Sequence, residues 1–395
     1  MKFEKTEISN IGVCFICEQK GALITQLKDF PITELFEQKD SIEVEKTLPS
    51  VADQELLYCQ NCNHMFLGKQ LPKHFVYQNY LTETSKSGGA THALKNFFHF
   101  VSANSGGKYS SIIDIGANDS SLLKMFESGD NKLVGVDPNM KSDNPNIKCV
   151  NEYIEDCDLN EYGEGRKIIV CSHTLEHMYE VRSFFENLIS KVSYEDDIFF
   201  QFPSLELLVL DSRFDQINHQ HLNYFSLKSI NSLLQQIGFS LIKHKFDPDH
   251  FGALMIHIKK SKSENYVSPT DYLSNNLDDI LKSYDICITN FESLEKRIQY
   301  LDGDFYCFGA SLLYPILLYN APSLNLSKGI IDGSHEKQKL KYLRIKTPII
   351  SDEGINYSEN NFIVSAIGSK LAARTICAKL FSSKGKNVIL PLNLL

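Results

Sequence analysis

The stretch Ile112-Ile-Asp-Ile-Gly-Ala-Asn-Asp-Ser-Ser121 decides the fold, because it ends an apolar strand and begins a helix through a loop with one glycine. Gly116 lets the backbone approach a ligand closely, and Asp114 can hold a cationic or hydroxylated group. About 20 residues later, Asp137 ends the next strand, where a carboxylate can accept hydrogen bonds from both ribose hydroxyls. Taken alone, the loop also fits an ordinary βα turn. With Asp137 it indicates a Rossmann-type nucleoside-binding domain.

The number of glycines in this loop narrows the class of ligand. Pyrophosphate binding uses the three glycines of G-x-G-x-x-G, and this loop has one. The loop therefore disfavours NAD and favours a ligand without phosphates, such as S-adenosylmethionine (SAM).

Short apolar runs alternate with helical patterns around the loop, which predicts parallel βαβ units with ligands at the carboxyl ends of the strands. The predicted strands are Ser110–Ile115, Lys132–Val136, Lys167–Cys171 and Ile198–Phe202. A long amphipathic segment from Thr270 to Leu301 follows, which fits a helical linker or a dimer element. A second α/β series comes after it, with predicted strands at 305–311, 329–332, 361–365 and 387–390.

Four of the ten cysteines lie near the amino terminus as two C-x-x-C pairs. Two such pairs can bring four thiolates onto one zinc ion, and a shell filled by protein ligands indicates a structural site. A redox pair or unrelated thiols are the alternative, and the 41 residues between the pairs exceed the usual spacing of about 15–20. His64 is a spare ligand candidate. The predicted zinc ligands are Cys14, Cys17, Cys59 and Cys62.

Composition describes an ordinary globular chain of 395 residues, with 43% hydrophobic and 23% charged residues. The formal charge of -9 and the lack of a basic block argue against a nucleic-acid or anionic-membrane partner. The first residues lack the apolar core of a secretory signal, so we expect a cytoplasmic protein. A small molecule is the expected partner.

Two histidine groups are candidates for the chemistry. His173-Thr-Leu-Glu-His177 matches the H-x-x-E-H pattern of a zinc peptidase, but it directly follows a predicted strand and should lie in a βα loop. A second group, within Phe214–Ser226, is too polar for a core strand and too dense for a random loop, although surface or helix-capping residues remain the alternative. Its candidate site residues are Asn218, His219, Gln220 and His221.

These motifs resemble those of class I SAM-dependent methyltransferases: Asp114-Ile-Gly-Ala-Asn-Asp119, Val-Gly-Val-Asp137 and Cys171-Ser-His-Thr-Leu-Glu-His177. Together with the cysteine pairs and the carboxyl-terminal α/β series, the chain resembles three-domain sugar C-methyltransferases that act on nucleotide-linked keto-deoxysugars. The resemblance covers nearly the whole chain. It implies cofactor-binding residues at Asp114, Gly116, Asn118, Asp119, Asp137, Ser172 and His173.

The same resemblance implies catalytic roles. It places the base at His221 and a second active-site histidine at His177, and Tyr80 resembles a tyrosine that closes over the substrates. The family's tyrosine and glutamate are replaced here by Asn218 and Gln220. Gln220 cannot act as the charged partner that raises the basicity of a histidine.

The replacements leave three functions open. Carbon methylation beside a ketone needs a base and an enolate-stabilising donor, whereas oxygen methylation needs only one proton acceptor. The first expectation is a methyltransferase acting on a nucleotide-linked sugar, by C-methylation. The alternatives are an O-methyltransferase on a similar sugar and a non-catalytic binding or scaffold protein. The chain is expected to be a monomer or a homodimer.

The sequence therefore predicts an α/β protein with SAM and structural zinc as cofactors. Residues 1–75 form the zinc-binding domain, 76–265 the methyltransferase core, and 266–395 a helical linker with a second Rossmann-like domain. In that last domain, Gly309 lies in a loop between a strand and a helix, and Asp332 ends the next strand, as Gly116 and Asp137 do in the core. His335 and Lys337 are within reach of a diphosphate. Packing alone is the equal alternative for this loop.

Overall fold

The architecture is built on a central sheet whose strands carry the predicted ligand loop at their carboxyl ends. A computed structural model of the chain describes residues 8–39, 49–73, 75, 83–127, 131–154, 157–162, 165–261 and 276–392. Within these ranges, no helix combines the length and apolar character that crossing a bilayer would require.

The amino-terminal part is an antiparallel sheet in which β4 lies between β2 and β5. The cysteine pairs lie before β2 and between β4 and β5. The strands are β1 (Ser9–Asn10), β2 (Ala22–Pro31), β3 (Phe36–Gln38), β4 (Val51–Cys59), β5 (His64–Leu67) and β6 (Lys69–Gln70).

The central part begins with helix α1 and contains seven strands of one sheet. Its helices are α1 (Gly88–Asn104), α2 (Ser121–Lys124), α3 (Val181–Lys191), α4 (Leu205–Leu210) and α5 (Leu227–Ile237). These strands are β7 (Ser111–Ile115), β8 (Lys132–Val136), β9 (Ile147–Val150), β10 (Lys167–Ser172), β11 (Asp197–Pro203), β13 (Phe239–Asp247) and β14 (Ala253–Lys260). Strand β12 (Asn223–Tyr224) lies in the same part of the chain but pairs with β5 of the amino-terminal sheet.

The strand order of the central sheet is β13-β14-β11-β10-β7-β8-β9. Strands β7 to β11 pair in parallel, and β13 and β14 add an antiparallel hairpin at one edge. Strands β7 and β11 are buried along their whole length, as expected for parallel strands covered on both faces. The four predicted strands are confirmed to within one residue at either end. The β13–β14 hairpin was not predicted.

The carboxyl-terminal part is a five-stranded parallel sheet in the order β18-β16-β15-β19-β20. The predicted amphipathic segment is helix α6, which begins at a capping box of Asn276 and Asp279; residues 270–275 lie outside the described part of the chain. The helices are α6 (Leu277–Gln299), α7 (Tyr314–Asn320) and α8 (Lys370–Ser382). The strands are β15 (Phe305–Phe308), β16 (Ile330–Ile331), β17 (Leu340–Tyr342), β18 (Ile349–Ile350), β19 (Asn361–Val364) and β20 (Asn387–Ile389).

The three parts share buried surface. One core cluster contains Phe30 and Met65 of the amino-terminal sheet, Leu208 of α4 and Phe308 and Leu380 of the carboxyl-terminal part. Strand β17 also pairs with β3, which joins the two ends of the chain by main-chain hydrogen bonds. The amino-terminal sheet is therefore stabilised by both of the other parts.

A buried ion pair fastens the central part to the carboxyl-terminal sheet. Arg213 donates to both carboxylate oxygens of Asp215, at 2.7 and 2.8 Å, and also to the carbonyl of Ile367 after β19. Arg213 is 4% exposed and Asp215 is fully buried. An Asp215 carboxylate left without Arg213 would be a buried, uncompensated charge.

We expect Arg213→Leu to lower the free energy of unfolding by about 3–5 kcal/mol, since breaking a buried pair leaves one charge unpaired. Urea unfolding measures this change. The double variant Arg213→Leu/Asp215→Leu should regain part of the loss. Arg374→Leu, whose ion pair with Asp249 is half-exposed, should change stability by less than about 1 kcal/mol. Equal losses in the single and double variants would contradict this explanation.

Candidate functional site

A cavity of about 140 Å³ lies at the carboxyl ends of β7, β8 and β10. This is the edge of a parallel sheet at which α/β folds bind ligands. Five of the predicted cofactor residues line it, together with His177 and Gln220. The lining residues are Thr84, Ile115, Gly116, Asn118, Val136, Asp137, Pro138, Asn139, Glu152, Tyr153, Ile154, Ser172, His173, Thr174, His177, Met178 and Gln220.

The glycine loop requires its glycine for two reasons. Gly116 has a φ of 77°, in the left-handed region that favours glycine. A Cβ at this position would lie 2.0 Å from Oγ1 of Thr174, so the loop backbone packs directly on that side chain. Asn118, with a φ of 48°, continues the turn. The loop is thus shaped to bring main-chain groups to the cavity wall.

Asp137 ties the loop to the end of β8. Its carboxylate accepts hydrogen bonds from the backbone N–H of Asn139 at 2.7 Å and of Asn118 at 3.2 Å. Burial raises the pKa of Asp137, and the two backbone hydrogen bonds oppose that shift. Asp137 thus lies at the cavity wall, where the sequence predicts a carboxylate that accepts hydrogen bonds from ribose hydroxyls.

Two predicted cofactor residues do not line the cavity. Asp114 is 3% exposed, and burial together with the charges of Asp137 and Asp119 holds its pKa well above the usual range. Asp119 accepts hydrogen bonds from the backbone of Ser85 at 2.7 Å and of Ser121 at 3.2 Å. Burial alone would raise the pKa of Asp119, but these hydrogen bonds lower it. The side chain of Asp119 therefore fastens the turn at 84–86 over the loop.

The first histidine group lies in a short 3₁₀ turn, Leu175–His177, directly after β10. Nδ1 of His177 donates to the carbonyl of Gln220 at 2.9 Å, which leaves the lone pair on Nε2. The ring of His221 packs edge-on against that of His177, with centroids 4.8 Å apart. The structure therefore brings the two histidine groups together at the cavity.

Burial keeps these histidines neutral. It lowers the pKa of His177, and it lowers the pKa of His221 to about 3, assisted by the neighbouring charge of His177. Burial alone would raise the pKa of Glu176, but a hydrogen bond from His173 and the surrounding imidazoles bring it to about 2. At neutral pH, the neutral imidazoles of His177 and His221 thus lie beside the ionised carboxylate of Glu176.

The other predicted catalytic residues shape the loop rather than the cavity wall. Oδ1 of Asn218 accepts hydrogen bonds from the backbone N–H of Gln220 at 2.9 Å and of His221 at 3.1 Å. His219 is fully buried, and its ring nitrogens contact the carbonyl of Phe30 at 3.1 Å and the side chain of Gln54. The side chain of His219 therefore anchors the loop in the amino-terminal sheet. Tyr80 lies outside the described residues.

Sequence reasoning missed part of this surface. His250 and Phe251, from the β13–β14 connection, pack against the histidine group, with Phe251 6.0 Å from His221 between ring centroids. Burial lowers the pKa of His250 to about 3. No local motif marks these residues, because they reach the site only through the unpredicted hairpin. Glu176 lies within both the H-x-x-E-H pattern and the methyltransferase-like motif 171–177, but neither pattern predicts a role for its side chain.

The four paired cysteines converge. Their four sulfur atoms all lie within 4.8 Å of one another, and the sulfurs of Cys17 and Cys59 are 3.4 Å apart. Around tetrahedral zinc, with Zn–S of about 2.3 Å, sulfurs are separated by about 3.8 Å. Glu18 and Asn63, which follow the second cysteine of each pair, both adopt left-handed backbones. The two pairs thus form matching turns, and the donor set fits a zinc ion.

His64, the spare ligand candidate, belongs to a different environment. Its ring lies among aromatic side chains, 5.6 Å from Phe66 and 4.9 Å from Phe225 between centroids. Burial lowers its pKa to about 3. It is not among the converging cysteine ligands and acts as a packing residue.

The carboxyl-terminal loop repeats the geometry of the first. Gly309 has a φ of 103°, and Oδ2 of Asp332 accepts a hydrogen bond from the backbone of Ala310 at 2.9 Å, as Asp137 does from Asn118. Nζ of Lys337 donates to the carbonyl of Ala310 at 2.8 Å, while His335 is exposed. Lys337 therefore stabilises this loop in the structure described.

A family model matches the central part of the chain. Residues 87–244 match the family model described as a methyltransferase domain. The C-methyltransferase NovU of Streptomyces niveus is 24% identical over 170 residues, which are 40% of this chain and 39% of that protein. The chain thus matches well under half the length of this curated relative.

Among solved structures, the magnesium protoporphyrin IX methyltransferase of Synechocystis PCC 6803 with bound SAH is 14% identical, with a TM-score of 0.35. The match covers 48% of this chain and 92% of that one. With bound SAM, the same enzyme is 13% identical over 44% of this chain and 80% of that one, with a TM-score of 0.33. Together with the family match, the α/β core identifies residues 87–244 as a SAM-dependent methyltransferase domain, as the sequence predicts.

We expect Gly116→Ala to weaken the binding of S-adenosylhomocysteine (SAH) at least tenfold, because the added methyl group collides with Thr174 and a left-handed alanine is strained. Isothermal calorimetry gives the dissociation constant. Gly106→Ala is the matched control, since a Cβ there meets nothing within 4 Å. Wild-type affinity in Gly116→Ala would show that the loop does not hold the cofactor.

Proposed function

We propose that this protein transfers a methyl group from SAM to a nucleotide-linked deoxysugar, with the His177–His221 pair as proton acceptor. The observation that carries the proposal is that one cavity is lined by Gly116, Asn118 and Asp137 and also by His177. A nucleoside-type loop and a neutral imidazole thus face the same space, as methyl transfer with loss of a proton requires.

The residues of the cavity have complementary tasks in this proposal. SAM supplies an electrophilic methyl group on its sulfonium. Asp137 would accept hydrogen bonds from the ribose of bound SAM, and the backbone of the Gly116 loop would hold the cofactor against the cavity wall. Nε2 of His177 and the ring of His221 accept the proton that the sugar loses. Because displacement needs alignment of acceptor, methyl carbon and sulfur, positioning supplies most of the rate.

Three observations support a nucleotide-linked sugar as substrate. The chain matches 170 residues of NovU, a C-methyltransferase, and its motifs resemble those of sugar C-methyltransferases. The segment after β16 also reaches the cofactor loop, since Glu336 lies 2.9 Å from Lys86 in the turn over that loop. We propose that the carboxyl-terminal part, from residue 266, is a second Rossmann-like domain that contacts the nucleotide.

Methylation at carbon is the first assignment. In that reaction a carbon–hydrogen bond beside the ketone breaks, its proton passes to histidine, and the resulting enolate forms the new carbon–carbon bond as SAH leaves. Methylation at oxygen is the second candidate. It is favoured by Asn218 and Gln220, because neither supplies the tyrosine hydroxyl or the carboxylate found in the resembling family. Product NMR, which locates the new methyl on carbon or oxygen, decides between them.

We propose that the cysteine cluster binds one structural zinc ion and that residues 1–75 are a zinc-binding domain. Four sulfur ligands leave no coordination position for a water or a substrate. The cluster also lies against the site. Arg182 of α3 donates to the carbonyls of Phe15 and Ile16, between the first two cysteines, and Ser226 donates to that of Asn63. The ion would thereby stabilise the loop that carries His221.

We expect His221→Ala and His177→Ala to lower the rate of methyl transfer by about 10²–10⁴-fold, the usual contribution of a general base. The probe is thymidine diphosphate 4-keto-6-deoxyglucose with radiolabelled SAM. His221→Ala should keep its affinity for SAH. The matched control, His99→Ala, removes an exposed histidine on α1 and should have the wild-type rate. Full rates in both site variants would contradict the assignment, and absence of SAM binding would favour a non-catalytic scaffold.

We expect one zinc ion per chain by mass spectrometry of the metal content, and a lower melting temperature after its chelation. Cys59→Ser should reduce the zinc content and the stability, because the site then lacks one of four ligands. Cys149→Ser, which removes an exposed thiol, is the control. A metal-free protein that stayed folded but lost activity that zinc alone restored would show a catalytic ion instead.

A further inference from the structure

The histidine group contains a carboxylate to which the proposed chemistry assigns no role. Glu176 is 1% exposed. Its Oε1 lies 3.2 Å from Nδ1 of His173, while its Oε2 is buried and has no hydrogen-bond partner. A buried, ionised oxygen without a donor is costly, so its retention needs an explanation.

The ring of His221 offers a possible hydrogen-bond donor for Oε2 of Glu176. Nδ1 of His221 is also buried and without a partner. One nitrogen of His221, one of His177 and one carboxylate oxygen of Glu176 all lie within 4.8 Å of one another. Hydrogen bonds of catalytic groups are often long in the absence of substrate and shorten when it binds. Such a shortening between Oε2 of Glu176 and Nδ1 of His221 would give each of the two unpaired atoms a partner.

We propose that Glu176 is the positioning carboxylate of the site: its Oε2 accepts the Nδ1 hydrogen of His221 and so directs the Nε2 lone pair of that ring to the sugar. A carboxylate on one imidazole nitrogen fixes the tautomer and raises the basicity of the other. Gln220 is neutral and cannot raise the basicity of a histidine. The negative charge is supplied instead by Glu176, on the neighbouring 3₁₀ turn. The inference rests on the proposed function, in which His221 accepts the proton that the sugar loses.

The surroundings of Glu176 favour this role. The titratable groups that face it come from β10, the 3₁₀ turn, the loop of His221, β12 and the β13–β14 connection: Cys171, His173, His177, His221, Tyr224 and His250. Burial raises the pKa of the Cys171 thiol and the Tyr224 phenol, so both are neutral. Glu176 is the carboxylate among these groups, and its charge raises the pKa of both His177 and His221 against the effect of burial.

The isosteric variant Glu176→Gln separates charge from shape. We expect it to lower kcat about 10- to 100-fold on thymidine diphosphate 4-keto-6-deoxyglucose, with KM and the affinity for SAH within twofold of wild type. Loss of the negative charge lowers the pKa of the base, so the acidic limb of the kcat profile should move to lower pH. Glu180→Gln, an exposed carboxylate four residues further on, is the matched control and should leave the profile unchanged.

Adding a carboxylate nearby should restore the lost rate. Gln220 precedes His221 and lines the cavity, so Gln220→Glu in the Glu176→Gln background returns the charge without changing the size of the side chain. We expect kcat to recover at least fivefold. A double variant no faster than Glu176→Gln would overturn the proposal, because the missing charge would then not be the cause of the loss.

A readout that needs no substrate makes the test independent of the proposed function. Nitrogen-15 NMR of the histidine rings in the SAH complex at pH 7.5 reports the tautomers. We expect His221 to be the Nδ1–H tautomer in the wild type and to shift toward Nε2–H in Glu176→Gln. An unchanged His221 signal would overturn the proposal even if catalysis were lost. A second metal ion per chain, bound in the wild type and absent in Glu176→Gln, would also overturn it. Failure of the sugar to react would count against the proposed function alone.

Discussion

The candidate site depends on a short run of main-chain hydrogen bonds that joins the loop of His221 to the amino-terminal sheet. Strand β12 begins two residues after His221 and pairs with β5, Tyr224 opposite Met65. Leu222, between them, accepts a hydrogen bond from the backbone of Leu67 at 3.0 Å and donates one to the carbonyl of Glu176 at 2.8 Å. The histidine loop is thus held from both sides by backbone groups, which side-chain changes do not remove.

Within the polar segment 218–221, two side chains hold the loop in place and two belong to the site. Asn218 accepts hydrogen bonds from the loop backbone and His219 contacts the amino-terminal sheet, whereas Gln220 lines the cavity and His221 packs against the ring of His177. Because the loop is well held, its histidine can be buried and neutral without losing its position. A buried neutral imidazole is a weak base unless an anion lies near it, and the site contains one such anion on the neighbouring turn.

The sequence predicts those parts of the structure that depend on short-range patterns. The strands of the central sheet follow from apolar runs that are buried on both faces, and the loop at Gly116 with Asp137 follows from their spacing. The convergence of the cysteines follows from the paired C-x-x-C spacing. The site residues His250 and Phe251 were not predictable, because they depend on an antiparallel hairpin added to a parallel sheet. Asn218 and His219 were predicted from composition, which cannot tell a side chain that faces a cavity from one that anchors a loop.

The pairing of β3 with β17 has a consequence for how the polypeptide is made. Leu340 lies opposite Gln38, so partners about 300 residues apart in the chain meet in one ladder. A ribosome must synthesise most of the protein before the first strands find theirs, and contacts so distant in sequence slow folding. During that interval β3 lacks its partner strand, so the backbone groups along its edge have no strand to pair with until residues 340–342 have been made.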